Sequence, residues 1–136
     1  MVKVYYGKKG CGKTKTIIDE ANKLASDGGG DVVFIDYSNQ RMYDLKHDIR
    51  FVNVSDFPVR SSSCFIGFIC GIISEDYDVE AIFVDGLTHM LDEGIETLDG
   101  FFKTLEDLSA KFNIKFYLSV NGDNGEAPSY LGQYIS

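Results

Sequence analysis

The sequence has few of the features that mark secreted, membrane-spanning or low-complexity chains. It contains two prolines and three cysteines, which form no CxxC pair, and its longest apolar run is the ten residues 64–73. Ten residues are too few to span a bilayer, and residues 1–6 lack the apolar stretch and cleavage site of a signal peptide. An odd number of cysteines without a secretion signal indicates reduced thiols. These absences predict a cytoplasmic protein without a membrane-spanning segment.

The composition is that of one globular domain. The chain has 136 residues, of which 44% are hydrophobic and 25% charged, and a chain of this length can bury enough surface to fold as a unit. Ten phenylalanines and eight tyrosines argue against disorder. Because no internal repeat or linker divides the sequence, we expect residues 1–136 to form a single domain.

The charges are unevenly distributed along the chain. Thirteen basic and twenty-one acidic residues give a net charge of −8, which on average repels nucleic acid and anionic lipid. Five of the basic residues precede the first acidic residue, Asp19: Lys3, Lys8, Lys9, Lys13 and Lys15. We therefore expect a small anionic ligand at this end of the chain, and no nucleic-acid or membrane partner.

Short apolar runs alternate with helical patterns along the chain. The apolar residues that follow Lys13 have the spacing of an amphipathic helix, and the glycines at 28–30 are typical of its C-terminal end. Residues 95–112 show a second pattern of this kind. Five runs rich in β-branched and aromatic residues predict strands: 2–6, 31–36, 49–54, 81–85 and 116–120.

The segment 64–73 fits both a buried strand and a buried helix. Its length and the serines at 61–63, which suit a helix N-cap, favour a helix, although two glycines within it oppose one. The polar stretch 38–48 follows neither pattern, and residues 122–125 are typical of a turn. Strands that alternate with helices predict an α/β fold, with a parallel five-stranded sheet and helices on both faces.

A glycine-rich motif lies between the first predicted strand and the first predicted helix. Residues 7–14, GKKGCGKT, match the pattern GxxxxGK[ST]. Glycines let the backbone curl so that successive N–H groups point inward, and such a nest at a helix N-terminus binds phosphate oxygens. The lysine of this pattern reaches the β- and γ-phosphates, and the threonine hydroxyl suits Mg²⁺. The motif predicts a nucleotide phosphate site formed by Gly7, Gly10, Cys11, Gly12, Lys13 and Thr14.

A carboxylate at the end of another predicted strand complements this loop. Residues 81–84 are apolar and are followed by Asp85 and Gly86, which is the pattern of a Walker B strand. A carboxylate suits the coordination shell of Mg²⁺, because this ion prefers hard oxygen ligands. We therefore expect Thr14 and Asp85 to hold the metal ion, and Mg²⁺ with ATP to be the ligands.

The motifs resemble those of the RecA/KaiC-like branch of the P-loop ATPases. Four stretches carry the resemblance: 7–14 (GKKGCGKT), 32–36 (VVFID), 81–91 (AIFVDGLTHML) and 105–121 (LEDLSAKFNIKFYLSVN). The resemblance implies a three-layer RecA-like core with the sheet order 3-2-4-5-1, where strands are numbered along the chain. It also implies that the polar tip of the fifth strand contacts the γ-phosphate or its attacking water. Asn121 best matches that position, and Ser119 is second.

The sequence departs from this family at the residue that activates water. Relatives place a glutamate either just past the second strand or directly after the Walker B aspartate, and these places hold Ser38 and Gly86 here. Asp36, which ends the second predicted strand, is the first candidate for a substitute base. General acid–base catalysis contributes about 10²–10⁴-fold to a rate, so we expect slow hydrolysis or none.

The sequence leaves three functions open. The leading interpretation is a small cytoplasmic protein that binds Mg·ATP and hydrolyses it slowly or acts as a nucleotide-dependent switch. A small-molecule or nucleotide kinase shares the loop and the aspartate, but little chain is left for an acceptor pocket. The third is a non-catalytic module that binds a partner protein. All three interpretations are compatible with a homo-oligomer or with a protein partner. His47 and His89 lack metal-ligand spacing and are predicted to be structural or exposed.

Overall fold

The five predicted strands lie in one parallel sheet. The structure, a computed structural model, describes residues 1–122 and 126–135. The strands are β1 (Val2–Gly7), β2 (Asp31–Asp36), β3 (Arg50–Asn53), β4 (Val79–Val84) and β5 (Lys115–Asn121). Their order is β1-β5-β4-β2-β3, and every neighbouring pair is parallel. The predicted fold class is confirmed, and so is the sheet order, which is the implied one counted from the opposite edge.

Helices cover both faces of the sheet. They are α1 (Lys13–Asp27), α2 (Ser62–Glu75), the single-turn α3 (Leu87–Met90) and α4 (Asp99–Phe112). On one face, Ile17 of α1 packs in a cluster with Phe34 and Phe83 of the sheet. On the other face, Phe65 of α2 and Phe102 of α4 share a second cluster with the opposite side chains of the strands. The result is a three-layer sandwich, as predicted.

The ambiguous apolar segment forms helix α2. The Ser61 Oγ accepts a hydrogen bond from the Cys64 N–H at 3.1 Å, which is the N-cap bond that the serines predicted. Phe65, Ile69 and Ile73 follow at intervals of four residues and form the buried face. In the part of the chain that the structure describes, neither α2 nor any other helix is long and apolar enough to cross a membrane.

The long helix predicted over residues 95–112 is wrong at its start. The structure has a 3₁₀ turn at Ile95–Thr97, and α4 begins only at Asp99. Leu98 separates the two with φ −99° and ψ 17°, and its side chain is 1% exposed. The apolar spacing continues through this break because Leu98 turns into the core, which is why the pattern alone suggested one helix. Asp99 then places a carboxylate in the first turn of α4, where the helix dipole favours a negative charge.

Two further stretches of the sequence lay outside the predicted strands and helices. The polar stretch 38–48 contains a 3₁₀ turn at Met42–Asp44, which Asn22 of α1 ties down. The Asn22 amide donates to the Asp44 carbonyl and accepts from the Lys46 N–H, each at 2.9 Å. The turn predicted at 122–125 falls mostly on residues 123–125, which lie outside the described residues.

Candidate functional site

The carboxyl ends of β1, β2, β4 and β5 surround a cleft of about 760 Å³, which we call the edge cleft. Its walls are the loop after β1, the start of α1, the segment after β2 and the start of α3. In open parallel sheets, ligands bind outside the carboxyl ends of the strands, at the point where connections leave for opposite faces. The edge cleft lies at such a point, because β1 leads to α1 on one face and β4 leads towards α4 on the other.

The fold brings most of the predicted site residues to this cleft. Those that line it are Gly10, Gly12, Lys13, Thr14, Asp85, Ser119 and Asn121. Gly7 and Cys11 lie beside it, and the Cys11 side chain borders a separate cavity of about 180 Å³ next to β1. Residues from positions 10 and 121, far apart in the sequence, therefore meet at one end of the sheet.

The loop between β1 and α1 requires glycine at defined positions. Gly10 and Gly12 have φ values of 86° and 93°, a backbone conformation that other L-residues rarely adopt. At Gly7 the backbone is ordinary, but a Cβ there would lie 2.8 Å from the Cys11 Sγ. The glycine spacing of the motif is therefore explained by backbone conformation at two positions and by close packing at the third.

Lys13 folds back over the loop that precedes it. Its Nζ donates to the carbonyl oxygens of Gly7 at 3.0 Å and of Lys8 at 2.7 Å. Two backbone acceptors therefore hold the ammonium group at the mouth of the edge cleft, where it is half-buried. An anionic ligand in the cleft would meet a positive charge that is already positioned.

A hydrogen-bond chain links the loop to the end of β4. The Thr14 hydroxyl donates to the Asp85 Oδ1 at 3.5 Å, and the Ser119 hydroxyl donates to the same oxygen at 2.5 Å. The Ser119 Oγ in turn accepts from the Gly86 N–H at 2.7 Å. Asp85 is 6% exposed and Ser119 is 2% exposed. The hydroxyl of Ser119 is thus engaged on both sides and orients the Asp85 carboxylate, whereas Thr14 and Asp85 present adjacent oxygen ligands to the cleft.

A second carboxylate, Asp36, is buried at the end of β2 and lines the edge cleft. It is 2% exposed, and burial, with a smaller contribution from the charge of Asp85, raises its pKa from the ordinary 3.8 to about 6. The Tyr37 N–H donates to its Oδ1 at 2.7 Å and partly opposes this rise. The pKa of Asp36 therefore lies close to neutral pH, within the range that suits a general base.

The burial of Asp36 should have a measurable effect on the free energy of unfolding. Between pH 3.8 and 6 the folded protein keeps a proton that the unfolded chain releases, so the free energy of unfolding decreases as the pH rises through this window. Asp36→Asn should remove this penalty. The shift sets an upper limit of about 3 kcal/mol, and access of water to the cleft reduces the expected gain at pH 7 to about 1–2 kcal/mol.

Urea denaturation at pH 3.5 and at pH 7 measures this effect. The variant should exceed the parent in stability at pH 7 and match it at pH 3.5. Asp27→Asn, at the exposed far end of α1, serves as the control and should change neither value. An equal gain for Asp36→Asn at both pH values would contradict the assignment of the effect to proton binding.

Sequence reasoning missed a cluster formed by Tyr37, His89 and Asn121. The rings of Tyr37 and His89 stack with centroids 4.8 Å apart and an interplanar angle of 25°. The Asn121 Nδ2 lies 2.8 Å from the His89 Nε2. His89 was predicted to be structural or exposed; it is exposed, but it lines the edge cleft. One feature of the sequence could have indicated this position of His89. It follows Asp85 by four residues, and a short helix directly after a strand remains at the carboxyl edge of the sheet.

A second cleft of about 730 Å³ adjoins the edge cleft. Lys9, His89 and Asn121 line both. The second cleft is also lined by Tyr6, Thr88, Glu96 and Glu126. The sequence had suggested that little chain was left for such a space, and the segment after β5 provides part of it.

The comparisons with known proteins give no family assignment. No family model matches the chain, and no curated protein matches its sequence. The functional argument therefore depends on the motifs of the sequence and on the residues that the fold brings together at the edge cleft.

Proposed function

We propose that the chain is a small P-loop NTPase with a RecA-like core, which binds Mg·ATP in the edge cleft. The observation that carries this proposal is the approach of the Thr14 Oγ1 to within 3.5 Å of the Asp85 Oδ1. Thr14 is the last residue of the GKKGCGKT motif that follows β1, Asp85 directly follows β4, and β5 lies between these two strands. The loop and the carboxylate that the sequence paired with it thus meet where a phosphate-bound metal ion would need both.

The residues present fit these ligands. Gly10 and Gly12 hold the loop in a conformation whose N–H groups can face an anion, and Lys13 supplies a positioned positive charge beside them. The Thr14 hydroxyl and the Asp85 carboxylate are hard oxygen ligands, and Mg²⁺ commonly uses one or two protein oxygens together with water and phosphate oxygens. The metal ion, when bound, would neutralise phosphate charge, and Ser119 keeps the Asp85 carboxylate turned towards it.

The same geometry supports a slow ATPase or a nucleotide-dependent switch. Positions 38 and 86, where the resembled family has a glutamate, carry no carboxylate. Asp36 is the nearest substitute, but it is 2% exposed and its Oδ1 accepts the Tyr37 N–H. A buried carboxylate that is engaged with its own backbone is poorly placed to orient water. We therefore expect the site to bind nucleotide and to hydrolyse it inefficiently.

The second cleft favours a kinase as the other candidate function. It shares His89 and Asn121 with the edge cleft, so a small molecule bound there would lie next to the end of the phosphate site. Phosphate release measured with and without added small hydroxyl and amine compounds would separate the two functions. Transfer to an added acceptor in place of water would favour the kinase.

Asp85→Asn tests the proposed metal site. The Asp85 carboxylate is expected to act on the metal ion and not directly on phosphate, so the variant should lose most of the gain in ATP affinity that Mg²⁺ provides. Loss of one ligand contact should cost about tenfold in that gain, while affinity in EDTA stays close to that of the parent. Titration calorimetry with ATP, in MgCl₂ and in EDTA, measures both values.

The exposed Asp27→Asn again serves as the matched control, because it removes an equal charge far from the cleft. It should leave both affinities unchanged. An equal loss of affinity in MgCl₂ and in EDTA for Asp85→Asn would contradict the metal role and indicate that Asp85 only stabilises the end of β4.

A further inference from the structure

We propose that His89 and Tyr37 are positioning residues, which hold the Asn121 amide so that the site distinguishes a nucleoside triphosphate from a diphosphate. The proposal rests on the proposed nucleotide site. It assigns a role to two residues that belong to neither of the two motifs, the GKKGCGKT loop and the apolar strand followed by Asp85.

The cluster joins three separate elements of the fold. Tyr37 follows β2, His89 lies in α3, and Asn121 ends β5. The stacked rings hold the imidazole plane of His89, and the 2.8 Å contact between its Nε2 and the Asn121 Nδ2 fixes the amide. The assembled fold, and not a local sequence pattern, therefore brings these three side chains together at the edge cleft.

Gly86 makes this arrangement possible. Its φ is 80°, and a Cβ at this position would lie 2.6 Å from the Cε1 of the Tyr37 ring. Any other residue would therefore push the tyrosine ring away from the start of α3, and with it the surface on which His89 stacks. The Gly86 N–H also donates to Ser119, so the cluster is tied to the residue that orients Asp85.

Asn121 is anchored next to the loop that would hold phosphate. It pairs with Gly7 in the register of β1 and β5, and the N–H of the next residue, Gly122, donates to the Gly7 carbonyl at 3.0 Å. That same carbonyl accepts from the Lys13 Nζ. The Gly7 carbonyl therefore contacts both the Lys13 ammonium and the backbone next to Asn121. These two contacts hold the two side chains near each other at the mouth of the edge cleft.

The chemistry of an amide explains why it needs a positioning residue. One side of the Asn121 group is an acceptor and the other carries two N–H donors. A phosphate oxygen accepts hydrogen bonds, so only the donor side of the amide can bind it. The His89 Nε2, as an acceptor, engages one N–H and leaves the other to donate to the ligand. Without His89 the amide can rotate and present its oxygen, which repels the terminal phosphate.

The test compares two nucleotides that differ only in the terminal phosphate group. The dissociation constants of ADP and of the non-hydrolysable ATP analogue AMP-PNP, each with Mg²⁺, are measured by calorimetry for the parent, His89→Ala, Tyr37→Ala and Tyr37→Phe. His89→Ala should weaken AMP-PNP binding about fivefold, the size of one hydrogen bond, and leave ADP binding unchanged. Tyr37→Ala should act in the same direction. Tyr37→Phe keeps the stacking ring and should behave as the parent.

A spectroscopic measurement reports on the amide itself. The side-chain ¹H–¹⁵N resonances of Asn121, assigned through their absence in Asn121→Asp, should shift with AMP-PNP and not with ADP in the parent. In His89→Ala this difference between the two nucleotides should disappear. His89→Gln, which offers an acceptor oxygen in place of the Nε2, should restore part of it.

Three outcomes would overturn the proposal, and they are distinguishable. If the parent binds neither nucleotide, the nucleotide site fails and the inference fails with it. If both nucleotides bind and His89→Ala changes neither their ratio nor the Asn121 response, the positioning role alone is wrong. If His89→Ala weakens both nucleotides equally, His89 only supports the fold of the cleft.

Discussion

Lys13→Ala is expected to weaken the binding of Mg·ATP by about 100-fold, the largest loss that we expect from any single substitution in this chain. The Nζ of Lys13 already lies at the mouth of the edge cleft, held by the carbonyls of Gly7 and Lys8. A hydrogen bond to a charged group contributes about 1.5–3 kcal/mol, and each 1.4 kcal/mol corresponds to about tenfold in affinity. Calorimetry or fluorescence titration with a labelled nucleotide measures the loss.

The neighbouring Lys8 provides a matched control. It is exposed, and only its backbone carbonyl contacts Lys13, so Lys8→Ala removes the same charge and leaves that contact in place. We expect Lys8→Ala to cost less than about threefold in affinity, through the loss of long-range attraction alone. The thermal midpoint of Lys8→Ala should match the parent, because this side chain is exposed. Lys13→Ala should still fold, because the half-buried side chain contributes two hydrogen bonds to loop carbonyls and does not belong to either core cluster. Binding of ATP by Lys13→Ala as tight as by the parent would show that the loop is not a phosphate site.

Ser38→Glu is expected to raise the rate of ATP hydrolysis at least tenfold over that of the parent. The parent should turn over well below about 1 s⁻¹, the low end of ordinary enzyme turnover. Ser38 lines the edge cleft just past β2, which is one of the two places where the resembled family carries the glutamate that activates water. A positioned general base contributes about 10²–10⁴-fold, so partial restoration of its geometry should be detectable by phosphate release.

Position 86, the other place where the resembled family carries a glutamate, should not accept the same change. Gly86 has a φ of 80°, and a Cβ there would lie 2.6 Å from the ring of Tyr37. Gly86→Glu should therefore destabilise the fold and displace Tyr37 without a gain in rate. Ser38→Gln, which is nearly isosteric with the glutamate but neutral, is the control and should hydrolyse ATP no faster than the parent.

Two results would contradict the expectation for Ser38→Glu. Rapid hydrolysis by the parent would mean that a base is already present, and Asp36, with a pKa raised to about 6, would be the first residue to test. No gain from the substitution would favour a binding switch, or a site that another subunit completes. The comparison with Ser38→Gln separates the effect of the carboxylate from that of added bulk.

The sequence was sufficient for the features that depend on local pattern. Apolar runs placed the five strands, and the serines at 61–63 indicated the N-cap of α2, which the structure has at Ser61. The glycines at 28–30 marked the end of α1, where Gly28 has a φ of 69°. Such features can be predicted from sequence because a turn or a cap depends on the backbone conformation of only a few neighbouring residues. The sheet order was accessible by a different route, through the resemblance of four stretches to a known family.

The prediction from sequence was wrong where a regular apolar spacing continued across the end of one element and the start of the next. Residues 95–112 keep an apolar spacing that suggested one helix, yet α4 begins at Asp99 after a separate 3₁₀ turn. Leu98 supplies the apolar position expected of a helix while its backbone leaves the helical region. Leu98 is buried and so fits the apolar spacing, although its backbone is not helical. The spacing of apolar residues shows which side chains are buried, and it does not show which backbone conformation buries them.

Only the tertiary structure decided which polar groups act on one another at the edge cleft. Ser119 and Asn121 are two residues apart on β5, and the sequence offered both for the same task. The strand places the Ser119 hydroxyl under Asp85 and Gly86, and it places the Asn121 amide against His89. The raised pKa of Asp36 likewise follows mainly from burial and not from its neighbours in the chain. These properties arise from contacts between residues more than thirty positions apart, or from burial by the assembled layers, and no periodicity or motif along the chain encodes them.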